Sequence, residues 1–126
     1  MKDIQYITSE NKPSTIVKLD NTTWYYNYNI QKCKINKSNF DIENRDENTE
    51  IDGYKYAYFM MNVKPNYKDC VETIIRYIIS SSEEFDLVNS ANKVLMNGIT
   101  DSEDLDKYKE YLAKVEEVKN NVKKDF

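Results

Sequence analysis

The sequence predicts an α+β fold, in which an N-terminal antiparallel sheet of about four strands is followed by three C-terminal helices. Two patterns in the 126 residues lead to this class. In the first half apolar and polar residues alternate, as in half-buried strands, and in the second half apolar residues recur three and four positions apart, as in helices. We therefore expect a β-rich region at 1–64 and a helical region at 65–126, either as one compact domain or as a β part with an appended helical module.

Four segments carry the strand pattern, namely residues 4–7, 15–19, 23–35 and 54–63. In the third, the even-numbered positions carry Trp24, Tyr26, Tyr28 and Ile30, whereas the odd-numbered positions are mostly polar. Side chains alternate between the two faces of a strand, so these four residues should share a buried face and Tyr25 should point the other way. In the fourth segment both faces are largely apolar, which predicts a strand that is covered on both sides.

A charged segment, residues 36–53, separates the third and fourth strands. One interpretation is a long solvated hairpin loop, with a small extra strand around Phe40 to Ile42. Loops longer than ~12–15 residues are uncommon unless they are functional or mobile. The segment is therefore also a candidate contact loop.

Three helices are predicted after Pro65, each with residues that can cap its N-terminus. The cap candidates are Asn66 or Asp69 for the first, Ser80 with Glu83 or Ser81 with Glu84 for the second, and Thr100, Asp101 or Ser102 for the third. Gly98 suits the position just beyond the end of the second helix. The expected inner faces are Val71, Ile74, Ile75 and Ile78; then Phe85, Val88, Ala91 or Asn92, and Leu95; and then Leu105, Tyr108, Leu112, Val115 and Val122.

The composition argues against most kinds of catalytic and metal-binding site. The chain has no histidine, which is the commonest general base and metal ligand, and its two glycines cannot build a phosphate-binding loop. Cys33 and Cys70 stand alone and are expected to be free thiols. We predict no catalytic, cofactor-binding or metal-ligating residue, and a protein that is not an enzyme.

Charge and hydropathy narrow the classes of partner. A net charge of −4 and a pI of about 4.9 oppose binding to nucleic acid, whose phosphates carry the same sign. The sequence has no run of ~18 apolar residues and no N-terminal signal peptide, so we expect no membrane span and synthesis in the cytoplasm.

Aromatic residues are the remaining functional signal. The candidate interface residues are Trp24, Tyr25, Tyr26 and Tyr28 of the third strand, Phe40 of the charged segment, and Tyr108 and Tyr111 of the last helix. Aromatic side chains fill cores, anchor protein interfaces and stack on sugars, so a buried core, a protein contact and a carbohydrate-binding module that uses Tyr25 are all open.

The C-terminal half carries a family resemblance. The run ETIIRYIISSSEEFDLVNSANKVL, followed by DKYKEYLAKVEEVKNNVKKDF, resembles a module of small virion-associated proteins of gut Bacteroides phages, including the crAss-like group. The shared features are an apolar helix ending in I-R-x-x-x-S, then S-x-E-E, then Y-x-x-Y-x-x-x-V-E-x-x-K, over about residues 71–124. The serine-and-acid helix start and the tyrosine-rich last helix are also similar to tail-fibre assembly chaperones.

The resemblance implies a non-enzymatic bacteriophage structural protein, of the head-fibre or capsid/tail-adaptor type. Such a virion protein is made in the host cytoplasm, forms homo-oligomers and docks onto another virion protein of the capsid or tail. The alternative is an intracellular binding protein, such as a tail-fibre assembly chaperone or an inhibitor of a host factor, whose acidic surface would suit a basic partner.

Overall fold

The protein has an α+β fold, as the sequence predicts, with a four-stranded antiparallel sheet in the N-terminal half and three helices after it. The computed structural model describes residues 1–36, 50–99 and 102–126. Two compact units divide the chain: residues 4–65 form the sheet unit, and residues 66–126 with 1–3 form the helical unit. Residues 1–3 belong with the helices because the Lys2 amide donates to the Ile78 carbonyl oxygen over 2.8 Å.

The described strands are β1 (Ile7–Ser9), β2 (Ile16–Lys18), β3 (Trp24–Asn36) and β4 (Glu50–Met61), and their order in the sheet is β1-β4-β3-β2. All neighbouring strands are antiparallel. The first strand begins at Ile7, where the predicted one ends, because pairing with Tyr54–Tyr56 of β4 sets its position. β4 begins earlier than predicted, since Glu50–Gly53 continues the pairing with Cys33–Asn36.

A β-bulge interrupts β3 and changes which residues share a face. Tyr28 pairs with Ala57 but Gln31 pairs with Lys55, so Asn29 and Ile30 together face one residue of β4. Asn29 adopts a left-handed backbone conformation with φ of 53°, which asparagine tolerates better than most residues. The prediction that Ile30 continues the face of Tyr28 is therefore wrong, because the bulge ends the alternation.

The buried face of the sheet, called the inner face here, is aromatic as predicted. Its central residues are Trp24, Tyr26 and Tyr28 of β3, and Ala57, Phe59 and Met61 opposite them on β4. Tyr26 and Tyr28 are fully buried, and the ring of Tyr28 meets that of Phe59 edge to face, with centroids 6.1 Å apart. Such contacts add about 0.5–1.5 kcal/mol each to simple burial.

The helices are α1 (Tyr67–Ile78), α2 (Ser81–Met96) and α3 (Glu103–Lys123), and local capping chemistry fixes their ends. The caps are Asn66, Ser80 and Ser102, each of which accepts the amide hydrogen of the residue three positions later. Gly98 has φ of 72°, and the amides of Gly98 and Ile99 donate to Leu95 and Val94 in a Schellman motif. Ser102 is the cap among the three candidates for α3; Thr100 and Asp101 lie outside the described residues.

The buried faces of the helices agree with the prediction in α1 and differ in α2 and α3. Ile74, Ile75 and Ile78 are buried in α1, together with Cys70 and with Val71 half-buried. In α2 the predicted inner residues Ala91 and Val88 are buried and half-buried, but Phe85 and Leu95 are exposed. Leu87 and Val94 are half-buried in their place. In α3 Leu112 is exposed and Tyr111 is buried in its place. The cause is a polar contact between the helices, described below.

Candidate interaction surface

The second face of the sheet, called the outer face here, carries apolar and aromatic side chains that are exposed or half-buried. Its residues are Ile7, Val17, Tyr25, Tyr56, Tyr58 and Met60. Strand register places them together, since Tyr25 pairs with Val17 on one side and with Met60 on the other. Tyr58 is 53% exposed and Met60 is 60% exposed. The prediction that β4 is covered on both sides is wrong at Tyr58 and Met60, whereas Tyr54 and Tyr56 of the same face are half-buried.

Tyr25 points away from Trp24, Tyr26 and Tyr28, as predicted. Its ring contacts that of Tyr58, with centroids 5.6 Å apart and planes at 65°. This edge-to-face contact limits the motion of both rings. These two rings therefore lose less conformational entropy than freely rotating rings would when a partner covers them.

Asn27 holds the edge of this surface in place. Its side chain is buried and donates from Nδ2 to the Ser14 carbonyl oxygen over 2.6 Å, while its backbone amide donates to the Thr15 carbonyl oxygen over 2.8 Å. These two hydrogen bonds fix the chain just before β2. As a result, Val17 lies beside Tyr25 in the outer face.

A charged end follows the aromatic part of the outer face. Lys34 and Asp52 lie opposite each other on β3 and β4 and form an exposed ion pair. The hydrogen bond between them raises the pKa of the Lys34 ammonium and lowers the pKa of the Asp52 carboxyl. Exposed pairs of this kind contribute little to stability, so the pair matters chiefly for the charge that the surface presents.

The predicted interface residues occupy different environments. Tyr25 is half-buried on the outer face, and Trp24 is half-buried under the Lys18 ammonium, which lies 5.3 Å from its ring centroid. Tyr26, Tyr28 and Tyr111 are buried and present almost no surface. Tyr108 is half-buried on α3. Phe40, and most of the predicted contact loop, lie outside the described residues.

A polar cluster joins the three helices in the helical unit. Arg76 of α1 donates from Nη2 to Oε1 of Glu84 on α2 over 3.0 Å, and the Tyr111 hydroxyl of α3 donates to the other oxygen of Glu84. The hydrogen bond from Tyr111 lowers the pKa of Glu84, and burial raises the pKa of Tyr111 to about 12. Because its hydroxyl has this partner, Tyr111 can be buried where Leu112 was expected.

The same cluster explains the motif behind the phage resemblance. Arg76 belongs to the I-R-x-x-x-S element, Glu84 to S-x-E-E and Tyr111 to Y-x-x-Y, while Ser80 caps α2. These residues hold helices together or begin them. The motif therefore describes the packing of the helical unit.

Two observations concern metal ligands and thiols in the described part of the chain. Residues 1–36, 50–99 and 102–126 contain no group of three or more His, Cys, Asp or Glu side chains that could hold a metal ion. Both cysteines are free thiols, as predicted. Burial raises the pKa of the Cys70 thiol to about 12, so it stays protonated and is a poor nucleophile.

Sequence reasoning missed Val17, Tyr58 and Met60 as surface residues. The signal was present for β4, because Tyr54, Tyr56, Tyr58 and Met60 fall on one face by alternation. What the sequence lacks is the register that places this face beside Tyr25. It also lacks any indication that the face stays uncovered.

No family model, curated protein or solved structure matches the chain. The resemblance to Bacteroides phage proteins therefore stays a prediction. Among the described helices, none combines the length and the apolar character that crossing a membrane requires.

Proposed function

We propose that this protein is a non-enzymatic structural protein of a phage particle, which forms homo-oligomers through the outer face of its sheet. The observation that carries the proposal is the exposure of Tyr58 and Met60 within one aligned face that also holds Tyr25 and Val17. Contiguous exposed apolar side chains of this kind commonly mark protein contacts. The phage context rests on the resemblance of residues 71–124 alone.

A protein fits this face better than a sugar or a nucleic acid does. The planes of Tyr25 and Tyr58 meet at 65°, so the two rings do not form the flat platform on which sugar rings or bases stack. Met60 adds a flexible apolar side chain that suits an irregular protein surface. The net charge of −4 opposes a phosphate backbone.

A second copy of the chain is the occupant that we propose for the outer face. Its aromatic part carries no charged side chain, so two copies meet there without like-charge repulsion. At its charged end Lys34 pairs with Asp52, but Lys32 has no ion pair within the described residues, so the contact that we propose is confined to the aromatic part. A two-fold interface requires a surface that is complementary to itself, and an uncharged face with edge-to-face rings meets this requirement.

Light scattering coupled to size-exclusion chromatography tests the oligomer. We expect a mass of at least twice the 15.0 kDa of one chain, and a return to one chain mass in Met60→Lys. Met96→Lys is the matched control, because Met96 is 87% exposed and belongs to α2 of the helical unit. A wild-type protein of one chain mass would refute self-association through this face.

Mass spectrometry of purified phage particles tests the location. The proposal predicts that the protein is present at a fixed ratio to the capsid or tail proteins. Detection in infected cells but not in particles would favour an assembly chaperone or an inhibitor of a host factor instead.

A further inference from the structure

An exposed row of side chains, called the α2 stripe here, runs along one side of α2. It consists of Phe85, Asn89, Asn92 and Met96 and covers about 16 Å of helix. Phe85 is 66% exposed, Met96 is 87% exposed, and the two asparagines between them are exposed as well. Successive residues of the stripe lie four, three and four positions apart. This seven-residue period is the pattern of a helix that packs along a second helix.

The two flanks of the α2 stripe differ in chemistry. Asp86 and Lys93, both exposed, lie along one flank, seven positions apart. Val88 and Leu95 lie along the other flank at the same spacing; Val88 is half-buried and Leu95 is 51% exposed. One flank therefore presents an acid and a base, and the other presents two aliphatic side chains.

The α2 stripe is complementary to itself when two copies of α2 run antiparallel. A two-fold axis at the middle of the stripe places Phe85 against Met96 of the second copy, where ring and thioether attract each other. The same axis places Asn89 against Asn92 of the second copy. A side-chain amide is both a donor and an acceptor, so the two asparagines can hydrogen-bond to each other.

The same alignment also pairs the flanks. Asp86 meets Lys93 of the second copy, and Val88 meets Leu95 of the second copy. A parallel alignment would instead keep Asp86 and Lys93 of the second copy about 10 Å apart along the helix axis. Charge complementarity therefore selects a second copy of the chain, in the antiparallel orientation, as the occupant of the stripe.

We propose that two copies of the chain pair antiparallel along the α2 stripe, as a second contact besides the outer face. The contact is weak by itself, because polar residues at the centre of a helix seam fix its register at a cost in stability. The side chains that take part are also far fewer than the ~20–30 residues a side of a stable interface. At the dilution of size-exclusion chromatography the contact is dissociated, so the mass measured there depends on the outer face alone.

Sedimentation equilibrium of the full chain carrying Met60→Lys tests the α2 contact in the absence of the outer-face contact. We expect a dissociation constant on the order of 1 mM. Asp86→Lys alone, or Lys93→Asp alone, brings like charges together at both ends of the contact and should weaken association about tenfold. The double variant Asp86→Lys with Lys93→Asp restores opposite charges and should restore association.

Matched controls come from α3, where Lys109 and Glu116 are exposed and also lie seven positions apart. Lys109→Glu and Glu116→Lys change the net charge as the α2 variants do, and neither should change association. Absence of association near the millimolar range, a double variant no better than the single ones, or equal losses in the controls would overturn the proposal. None of these results bears on the outer face, which the mass of the wild-type chain tests at low concentration.

Disulfide trapping tests the orientation. In chains that also carry Cys33→Ser, which removes the half-buried thiol, Asn89→Cys and Asn92→Cys chains are mixed at high concentration and oxidised. The antiparallel contact predicts that disulfides between the two kinds of chain exceed those between like chains. An excess of disulfides between like chains would overturn the antiparallel alignment.

Discussion

Replacing Tyr111 by Phe tests whether the Arg76–Glu84–Tyr111 cluster holds the three helices together. The buried ring stays and only the hydroxyl is lost, so apolar packing is unchanged. A hydrogen bond to a charged group contributes about 1.5–3 kcal/mol to the free energy of unfolding. The Glu84 side chain is 28% exposed, so water replaces part of the lost contact. We therefore expect a loss of about 1–2 kcal/mol.

Urea unfolding followed by helical circular dichroism measures this loss, and thermal unfolding should show a Tm about 4–8 °C lower. Tyr108→Phe is the matched control. Its ring is half-buried and stacks on that of Tyr111 with centroids 6.4 Å apart, but its hydroxyl has no hydrogen bond within the described residues. We expect it to change stability by less than about 0.5 kcal/mol. Equal losses in the two variants, or none in Tyr111→Phe, would contradict the role of the cluster.

The difference in the free energy of unfolding between wild type and Tyr111→Phe should depend on pH in a direction that the structure predicts. The Tyr111 hydrogen bond, with the Arg76 guanidinium, lowers the pKa of Glu84 below its value in the unfolded chain. The contribution of the ionised Glu84 carboxylate to stability is thus complete at neutral pH, and it is lost as the pH falls through the lowered pKa. At the alkaline end burial raises the pKa of Tyr111 from 10.0 to about 12, so stability is lost as the pH rises across that interval. The difference in the free energy of unfolding between wild type and Tyr111→Phe should therefore become smaller at acidic pH and at alkaline pH.

Three further predictions concern single residues. Asn29→Val should lower the free energy of unfolding by about 1–2 kcal/mol, because a β-branched residue resists the left-handed backbone of the bulge, whereas Asn29→Gly should be close to neutral. Urea unfolding followed by Trp24 fluorescence measures both variants, and equal losses would contradict this prediction. Gly53→Ala should lower the free energy of unfolding by about 1–3 kcal/mol in the same measurement, because the added carbon overlaps the Ile35 side chain and lies 2.8 Å from the Ser9 carbonyl oxygen. Unchanged stability would show that Ile35 can move aside. A thiol reagent should modify Cys33 rapidly and buried Cys70 only after unfolding, so rapid modification of two thiols in the native protein would be a contrary result.

The features that the sequence predicts correctly depend on local chemistry. Asn66, Ser80 and Gly98 mark helix ends, because a cap requires only a side-chain acceptor or a left-handed backbone a few residues away. Tyr26 and Tyr28 share a buried face, because alternation is a property of one strand. Neither inference needs a distant part of the chain.

The features that it misses depend on distant partners. Apolar side chains continue at even positions through Ile30, and only the pairing with β4 shows that Asn29 begins a bulge. The buried Ile35 at an odd position was the available sign that the alternation changes. In α2, both Phe85 with Leu95 and Leu87 with Val94 follow helical spacing. The choice between these two faces depends on the partners that Glu84 finds on α1 and α3, which the α2 sequence does not contain.

The two halves of the chain therefore bear differently on function. The motif that suggests a phage protein lies in the helical unit, where Arg76, Glu84 and Tyr111 hold helices together. The exposed aromatic face lies in the sheet unit, which that motif does not cover. A chain with the same helical motif and a different sheet surface would keep the packing of its helices and lose the contact through the outer face. A substitution at Met60, rather than in the motif, thus tests function separately from folding.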